Sequence, residues 1–310
     1  MTVLVVGGSG FIGGHLVRAL TQSGIAVRGY SRNMPSDDMM QWMGVTDWQT
    51  GSLTNRAALR CAFEGVAMCY HLASSTVPKT ANNCPTSDVE NNLIGTLMLL
   101  EEAVRARLQR MIFISSGGTV YGSPLVLPIP ETHPLNPISS YGIVKVSIEH
   151  YLRFFNANHD LDYRVLRLSN PYGPRQRPTG SQGVVAAFIH RLIAGERLSI
   201  WGDGSVVRDY IYIDDAVEGI LAAARDASNE KVFNIGSGIG HTLLDLISHI
   251  ERSCGVRAQL DFQTHQKADV AINVLSTELA KTTLGFRAQT SLSEGLQKTV
   301  AWIRQTYKDV

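Results

Sequence analysis

Charge of one sign is missing from this sequence: 28 lysines and arginines stand against 27 acidic residues, with no block of like charges. That balance excludes a basic nucleic-acid-binding face and a polybasic membrane anchor. No apolar stretch approaches the roughly 20 residues that span a bilayer core. Cysteine is scarce. Cys61, Cys69, Cys84 and Cys254 are scattered without a CxxC pair, the pattern of free thiols in a reducing compartment rather than of a disulfide frame. The nine histidines are dispersed without an HExxH spacing, so no metal site is expected and His71 reads as a packed residue. No basic region precedes the first apolar run, residues 3–6, so a secretory signal is not expected. Cytoplasmic placement, with no nucleic-acid or membrane partner, is the expectation.

What is present is a core and an alternation. Hydrophobic residues make up 44% of the 310, enough for one large or two modest domains. Strand-like runs at residues 3–6, 26–30, 45–50, 66–72, 111–114 and 163–168 alternate with helical patterns at 11–20, 55–63, 88–106 and 139–156. The 88–106 segment carries Leu93, Leu97, Leu100 and Val104 on one stripe, and the methionine-rich stretch to Met43 reads as loop. Such βα repetition predicts an α/β fold, a Rossmann-type doubly wound parallel sheet covered by helices on both faces. After Asn170 the alternation loosens into a proline- and glycine-rich loop and shorter elements. The organisation expected is a dinucleotide-binding domain over 1–170 and a smaller substrate-binding lobe over 171–310, interwoven with it.

Glycines 7, 10 and 13 stand between the first strand and a helix that begins with Phe11 and Ile12. A glycine turn at a helix N-terminus exposes backbone N–H groups to an anion, and no Cβ keeps a pyrophosphate away. A dinucleotide is the expected ligand. At the end of the second strand, where an acidic residue would bond the ribose of NAD, this chain has Ser31 and Arg32. Serine and guanidinium favour the 2′-phosphate of NADP, with NAD the alternative if Arg32 is solvated or stacks on adenine. Tyr141 and Lys145 are spaced by four within a helical pattern, so phenol and ammonium share a face. An ammonium beside the phenol is expected to lower its pKa, as a general base for an alcohol requires.

These elements occur in order with His71-Leu72-Ala73, Asn91-Asn92-Leu93-Ile94-Gly95-Thr96, SSGGTVYG at 115–122, RLSNPYG at 167–173, GDGSVVRDYIYIDD at 202–215 and DVAINVLSTELAKTTLGF at 269–286. The ordered set covers essentially the whole chain. It resembles the extended short-chain dehydrogenase/reductases, specifically the NAD(P)-dependent sugar-nucleotide epimerase/dehydratase family of UDP-glucose 4-epimerase type. The resemblance implies that Tyr141 takes a proton from a sugar hydroxyl while hydride passes to nicotinamide, and that Lys145 holds the nicotinamide ribose. It places Phe11 and Ile12 along the pyrophosphate, Ser52 and Leu53 near adenine, and Leu72, Ala73, Ser74, Asn92 and Ser115 around the cofactor. It assigns Asn170, Val184, Trp201, Arg208, Asp269 and Asn273 to the sugar nucleotide, with Arg208 on the diphosphate or, structurally, on Asp209 or Asp214. It also implies a homodimer built from the helices near 90–106 and 141–156.

Three departures sharpen the reading. The position that usually carries a catalytic Ser or Thr is Gly117, leaving Ser116, Thr119 or water to shuttle the proton. The arginine usually three residues before Asp269 is Gln266. Gly118 and Thr119 stand where dehydratases carry an acidic pair, so elimination of water lacks its acid and base. The function expected is an NDP-hexose 4-epimerase, the sugar nucleotide UDP-linked, acting through a 4-keto sugar. The alternatives are an NADPH-dependent 4-ketoreductase and a non-catalytic binding module.

Overall fold

The computed structural model describes residues 2–76, 78–179, 183–264 and 270–307, apart from the side chains of residues 78–80. Its strands are β1 (Thr2–Val6), β2 (Ala26–Ser31), β3 (Asp47–Thr50), β4 (Val66–His71), β5 (Arg110–Ser116), β6 (Asp162–Leu168), β7 (Asn170–Tyr172), β8 (Leu198–Trp201), β9 (Val207–Tyr212), β10 (Val232–Ile235), β11 (Gly240–Thr242), β12 (Leu260–Gln263) and β13 (Ile272–Asn273). Its helices are α1 (Phe11–Gln22), α2 (Asp37–Met43), α3 (Arg56–Ala62), α4 (Pro78–Asn83), α5 (Pro85–Asp88), α6 (Gly95–Arg105), α7 (Ser140–His159), α8 (Val184–Ile193), α9 (Ile213–Arg225), α10 (Leu243–Cys254), α11 (Glu278–Leu284) and α12 (Leu292–Thr306).

Seven strands form one parallel sheet in the order β10-β6-β5-β4-β1-β2-β3. Each inner strand is apolar on both faces because both are covered. Val3 and Val5 pack into one core with Leu16, Val17 and Leu20 of α1 and Ile220 of α9. Leu4 and Val6 pack into the other with Leu59 of α3, Leu99 of α6 and Ile148 and Leu152 of α7. Each such side chain taken from water contributes about 1.5–3 kcal/mol. The direction of winding reverses between β1 and β4, and open α/β sheets bind ligands in the crevice at such a reversal.

Beyond residue 170, β9 pairs with β7, β11 and β13, and β8 pairs with β12. The chain then returns: β10 joins the large sheet beside β6. The stretch to Met43, expected as loop, instead contains α2, capped by the Ser36 hydroxyl and ended by Gly44 in a left-handed conformation. The single helix expected over 88–106 is interrupted, since residues Val89–Ile94 form a π-turn between α5 and α6.

Candidate active site

The carboxyl edge of the large sheet gathers almost every residue expected to hold a cofactor. Gly7 follows β1, Ser31 ends β2, Ser52 and Leu53 follow β3, Leu72 to Ser74 follow β4, and Ser115 and Ser116 end β5. The glycine turn is built for close approach. Gly7 sits at φ +87°, and a Cβ there would lie 2.7 Å from the Ala73 nitrogen. A Cβ on Gly13 would run into the Gly7 carbonyl and come within 2.8 Å of the Gly8 Cα. Gly10, the N-cap of α1, has no side chain of its own to compete for the N–H groups of that first turn. These features fit a dinucleotide pyrophosphate.

The tyrosine and lysine lie on the first turns of α7, started by the Ser139 hydroxyl, which accepts from the Gly142 N–H at 3.2 Å. Lys145 is buried. Its Nζ donates to the Ile114 carbonyl at 2.8 Å, stands 4.6 Å from the centre of the Phe113 ring and 5.5 Å from that of Tyr141. Burial pushes the Lys145 ammonium down to about 8. Burial, with the nearby Lys145 charge, pushes His71 down to about 3, so its imidazole is neutral. Thr96 gives its hydroxyl proton to the Asn92 carbonyl, so the 2.9 Å contact to His71 must use the Nε2–H of His71 as donor.

One expectation is corrected. Spacing alone led to a Tyr141 phenol made acidic by Lys145, whereas burial, with Asp88 adding, pushes it up to about 12. Desolvation disfavours the phenolate, and the Asp88 charge acts in the same direction.

Around this pair, the Thr119 hydroxyl is buried without a partner among the described residues, and Ser116 is partly buried. A Cβ on Gly142 would lie 2.8 Å from the Thr119 carbonyl, which places the SSGGT loop against the first turn of α7. The Ser115 hydroxyl is committed to buried Glu149. Ser31 donates to the Asn33 carbonyl at 2.7 Å and accepts from Trp48 Nε1 at 3.0 Å, while Arg32 is exposed. Ser74 bonds the Thr76 carbonyl at 3.0 Å. Asn92 is buried within the π-turn and accepts from the Ser75 N–H at 2.8 Å.

The substrate-side residues fall on the β7–β9–β13 platform. Asn170 pairs with Tyr210, and Arg208 with Asn273. Asn273 donates to the Gly117 carbonyl at 2.9 Å and keeps a buried side-chain carbonyl oxygen that has no partner among the described residues. Asn170 donates to the Asp209 carbonyl at 2.9 Å. The Asp209 carboxylate accepts from Ser237 and Gly238, and that of Asp214 faces His15 at 3.7 Å. Val184 opens α8, and Trp201 is half exposed at the end of β8. Asp269 and Gln266 lie outside the described residues. Among the described residues no cluster of His, Cys, Asp or Glu could hold a metal.

Sequence reasoning missed the supports behind the site. Glu149, one turn beyond Lys145, forms a buried pair with Arg167, which also donates to the Tyr121 hydroxyl at 3.0 Å; Tyr121 in turn donates to Asn234 at 2.6 Å. The (i, i+4) spacing of Lys145 and Glu149 was the one local signal.

A doubly wound parallel sheet with a glycine cradle at its reversal and a tyrosine–lysine pair on the same edge defines a dinucleotide-dependent enzyme of the short-chain type. Residues 3–236 match the model of the NAD dependent epimerase/dehydratase family, and the chain belongs to that family. It is 34% identical to a UDP-glucose 4-epimerase of Mycolicibacterium smegmatis over 98% of this chain and 99% of that one. It superposes on the UDP-glucose 4-epimerase of Thermotoga maritima with UDP-glucose at a TM-score of 0.94, with 38% identity and 99% and 100% of the two chains covered. The Thermus thermophilus UDP-glucose 4-epimerase in complex with NAD gives a TM-score of 0.91 at 32% identity, covering 99% and 100%.

Proposed function

We propose that this chain is a UDP-sugar 4-epimerase that works with NAD. The observation that carries the reading is the placement of Tyr141 and Lys145 on the edge that also bears the Gly7–Gly13 cradle, with Lys145 fixed by the Ile114 carbonyl. Bound NAD supplies the acceptor and donor of hydride and, when oxidised, a positive ring that favours a phenolate. Tyr141 takes the proton of the sugar 4-hydroxyl as C4 loses hydride, leaving a 4-keto sugar. Once the sugar has turned over, Tyr141 would return that proton to the same oxygen, and because the bound cofactor would give back what it took, the cycle would balance without an outside reductant. Lys145 would hold the nicotinamide ribose and would add positive charge beside the phenol. A buried hydroxyl without a partner costs about 1–3 kcal/mol, and the Thr119 hydroxyl recovers that cost by bonding the substrate oxygen; Ser116 is the second donor in reach of the same loop. Arg208 meets the diphosphate, and Asn170, Val184, Trp201, Asp269 and Asn273 complete the substrate side.

The NADP preference expected from Ser31 and Arg32 is not supported: the Ser31 hydroxyl donates to the Asn33 carbonyl and accepts from Trp48, and a structural relative of this chain holds NAD, which supports NAD here. The chain acts as a homodimer through α7 and the segment ahead of α6, which expose Ile143, Tyr151, Phe154 and Ile94. It works in the cytoplasm, where its four thiols stay reduced.

Two measurements test this reading. Purified enzyme is expected to interconvert UDP-glucose and UDP-galactose by NMR without added NADPH, and Tyr141→Phe to lose at least about 1,000-fold in kcat, the upper part of the range for a general base. Consumption of NADPH with a 4-keto sugar, or turnover unchanged by Tyr141→Phe, overturns it. Native mass spectrometry is expected to show two chains and NAD; a monomer, or a cofactor heavier by one phosphate, removes the corresponding claim.

A further inference from the structure

Asp88 is a buried carboxylate, 1% exposed, that the chemistry above does not use. One of its oxygens accepts from the Thr76 hydroxyl at 2.6 Å and from the Asn92 amide at 2.7 Å. The other accepts from the Ser140 hydroxyl at 2.8 Å. Asn92 accepts in turn from the Ser75 N–H. The carboxylate therefore joins the loop that leaves β4, the π-turn of Val89–Ile94, and the first residue of α7. Ser140 is the residue before Tyr141. The π-turn has a physical part in this: its wider turn carries Asn92 where one amide side chain reaches both the Asp88 oxygen and the Ser75 N–H. Hydrogen bonds to a buried charged acceptor are the strong ones, and three of them fix a carboxylate in one orientation.

We infer that Asp88 is a positioning residue that holds the start of α7, and with it the Tyr141 phenol, against the loop after β4 through the Ser140 hydroxyl. The inference rests on Tyr141 being the catalytic phenol. Its geometry belongs to three segments that no single sequence pattern joins.

The test uses the full chain with UDP-glucose, reading kcat and KM separately for Ser140→Ala, Ser140→Thr, Asp88→Ala and the double variant Asp88→Ala/Ser140→Ala. Ser140→Ala is expected to lower kcat about tenfold, the weight of one hydrogen bond to a charged acceptor carried into the transition state. KM and bound NAD should stay as in the parent, and Ser140→Thr, which keeps the donor, should restore kcat. The double variant should be no slower than Asp88→Ala, because the Ser140 hydroxyl acts through that carboxylate, while the Ser140 N–H on Asn82 survives the change to alanine. A parental kcat in Ser140→Ala, a threonine variant as slow as alanine, or losses that multiply in the double variant overturn the inference. Should Asp88→Ala fail to fold, the alanine–threonine pair at Ser140 decides alone. Retained turnover in Tyr141→Phe removes the reading beneath it instead.

Discussion

Replacing Glu149 by leucine is expected to cost about 3–5 kcal/mol of unfolding free energy, the range for removing one partner of a buried ion pair. Both side chains of the Glu149–Arg167 pair are 6% exposed. Arg167 donates to Glu149 at 2.7 Å through one Nη and at 3.2 Å through Nε, and its other Nη serves the Tyr121 hydroxyl and the Glu131 carbonyl. Leucine strands the guanidinium in the interior and leaves the Ser115 hydroxyl without its acceptor. Urea denaturation should show a fall in midpoint with an unchanged slope. A loss under about 1 kcal/mol, the worth of an exposed pair, would show that the pair is solvated.

The same change acts on catalysis. Burial lowers Lys145 to about 8, and the negative charge of Glu149 opposes that shift. Without Glu149 the ammonium loses its proton at lower pH, so the alkaline fall in activity should move toward neutrality. In Glu149→Gln, which keeps the size and a hydrogen-bond acceptor, the alkaline limb should move while much less stability is lost.

The sheet from β1 to β6 was legible because its strands carry short apolar runs; β10, which joins it from beyond residue 170, was not, its four residues lying among the shorter elements of the second half. The cradle was legible because closely spaced glycines after a strand have one common physical use. The missed elements share a different property. α2 hid in a methionine-rich segment, yet Ser36 before two aspartates and Gly44 after Met43 are cap signals that composition outweighed. The π-turn at Val89–Ile94 adds backbone without changing the leucine stripe, so periodicity could not register it. The polar network was invisible for a stronger reason: Ser115, Tyr121, Glu149, Arg167 and Asn234 come from five places in the chain, and only the fold brings them together. The Tyr141 phenol is raised by burial for a reason of the same kind. Spacing reports that two groups are close and says nothing of how much water each has lost.

Gly117→Ser, which writes a hydroxyl into the one position where the family pattern has it and this chain does not, is expected to harm the enzyme. A Cβ there would overlap Leu275 Cδ1 and lie 3.0 Å from Cδ2 and 3.1 Å from the Arg167 carbonyl. Leu275 has no room to retreat, being fully buried with Val120, Tyr121 and Ile129. The Gly117 backbone is pinned as well, its N–H on the Leu168 carbonyl at 2.8 Å and its carbonyl on the Asn273 amide at 2.9 Å. Overpacking of this kind costs about 1–3 kcal/mol, and the strain falls on the loop that carries Ser116 and Thr119. Turnover should drop by at least about tenfold for a 1.4 kcal/mol rise in barrier. Leu275→Ala alone opens a cavity and should cost about 2–5 kcal/mol of stability. Combined, the two changes should be less harmful than their sum, because the serine Cβ enters space the leucine vacates. Urea midpoints and kcat for the four proteins of this cycle decide it. Strict additivity, or a Gly117→Ser enzyme faster than the parent, would mean that the loop moves freely and that Leu275 does not set which residue can stand at position 117.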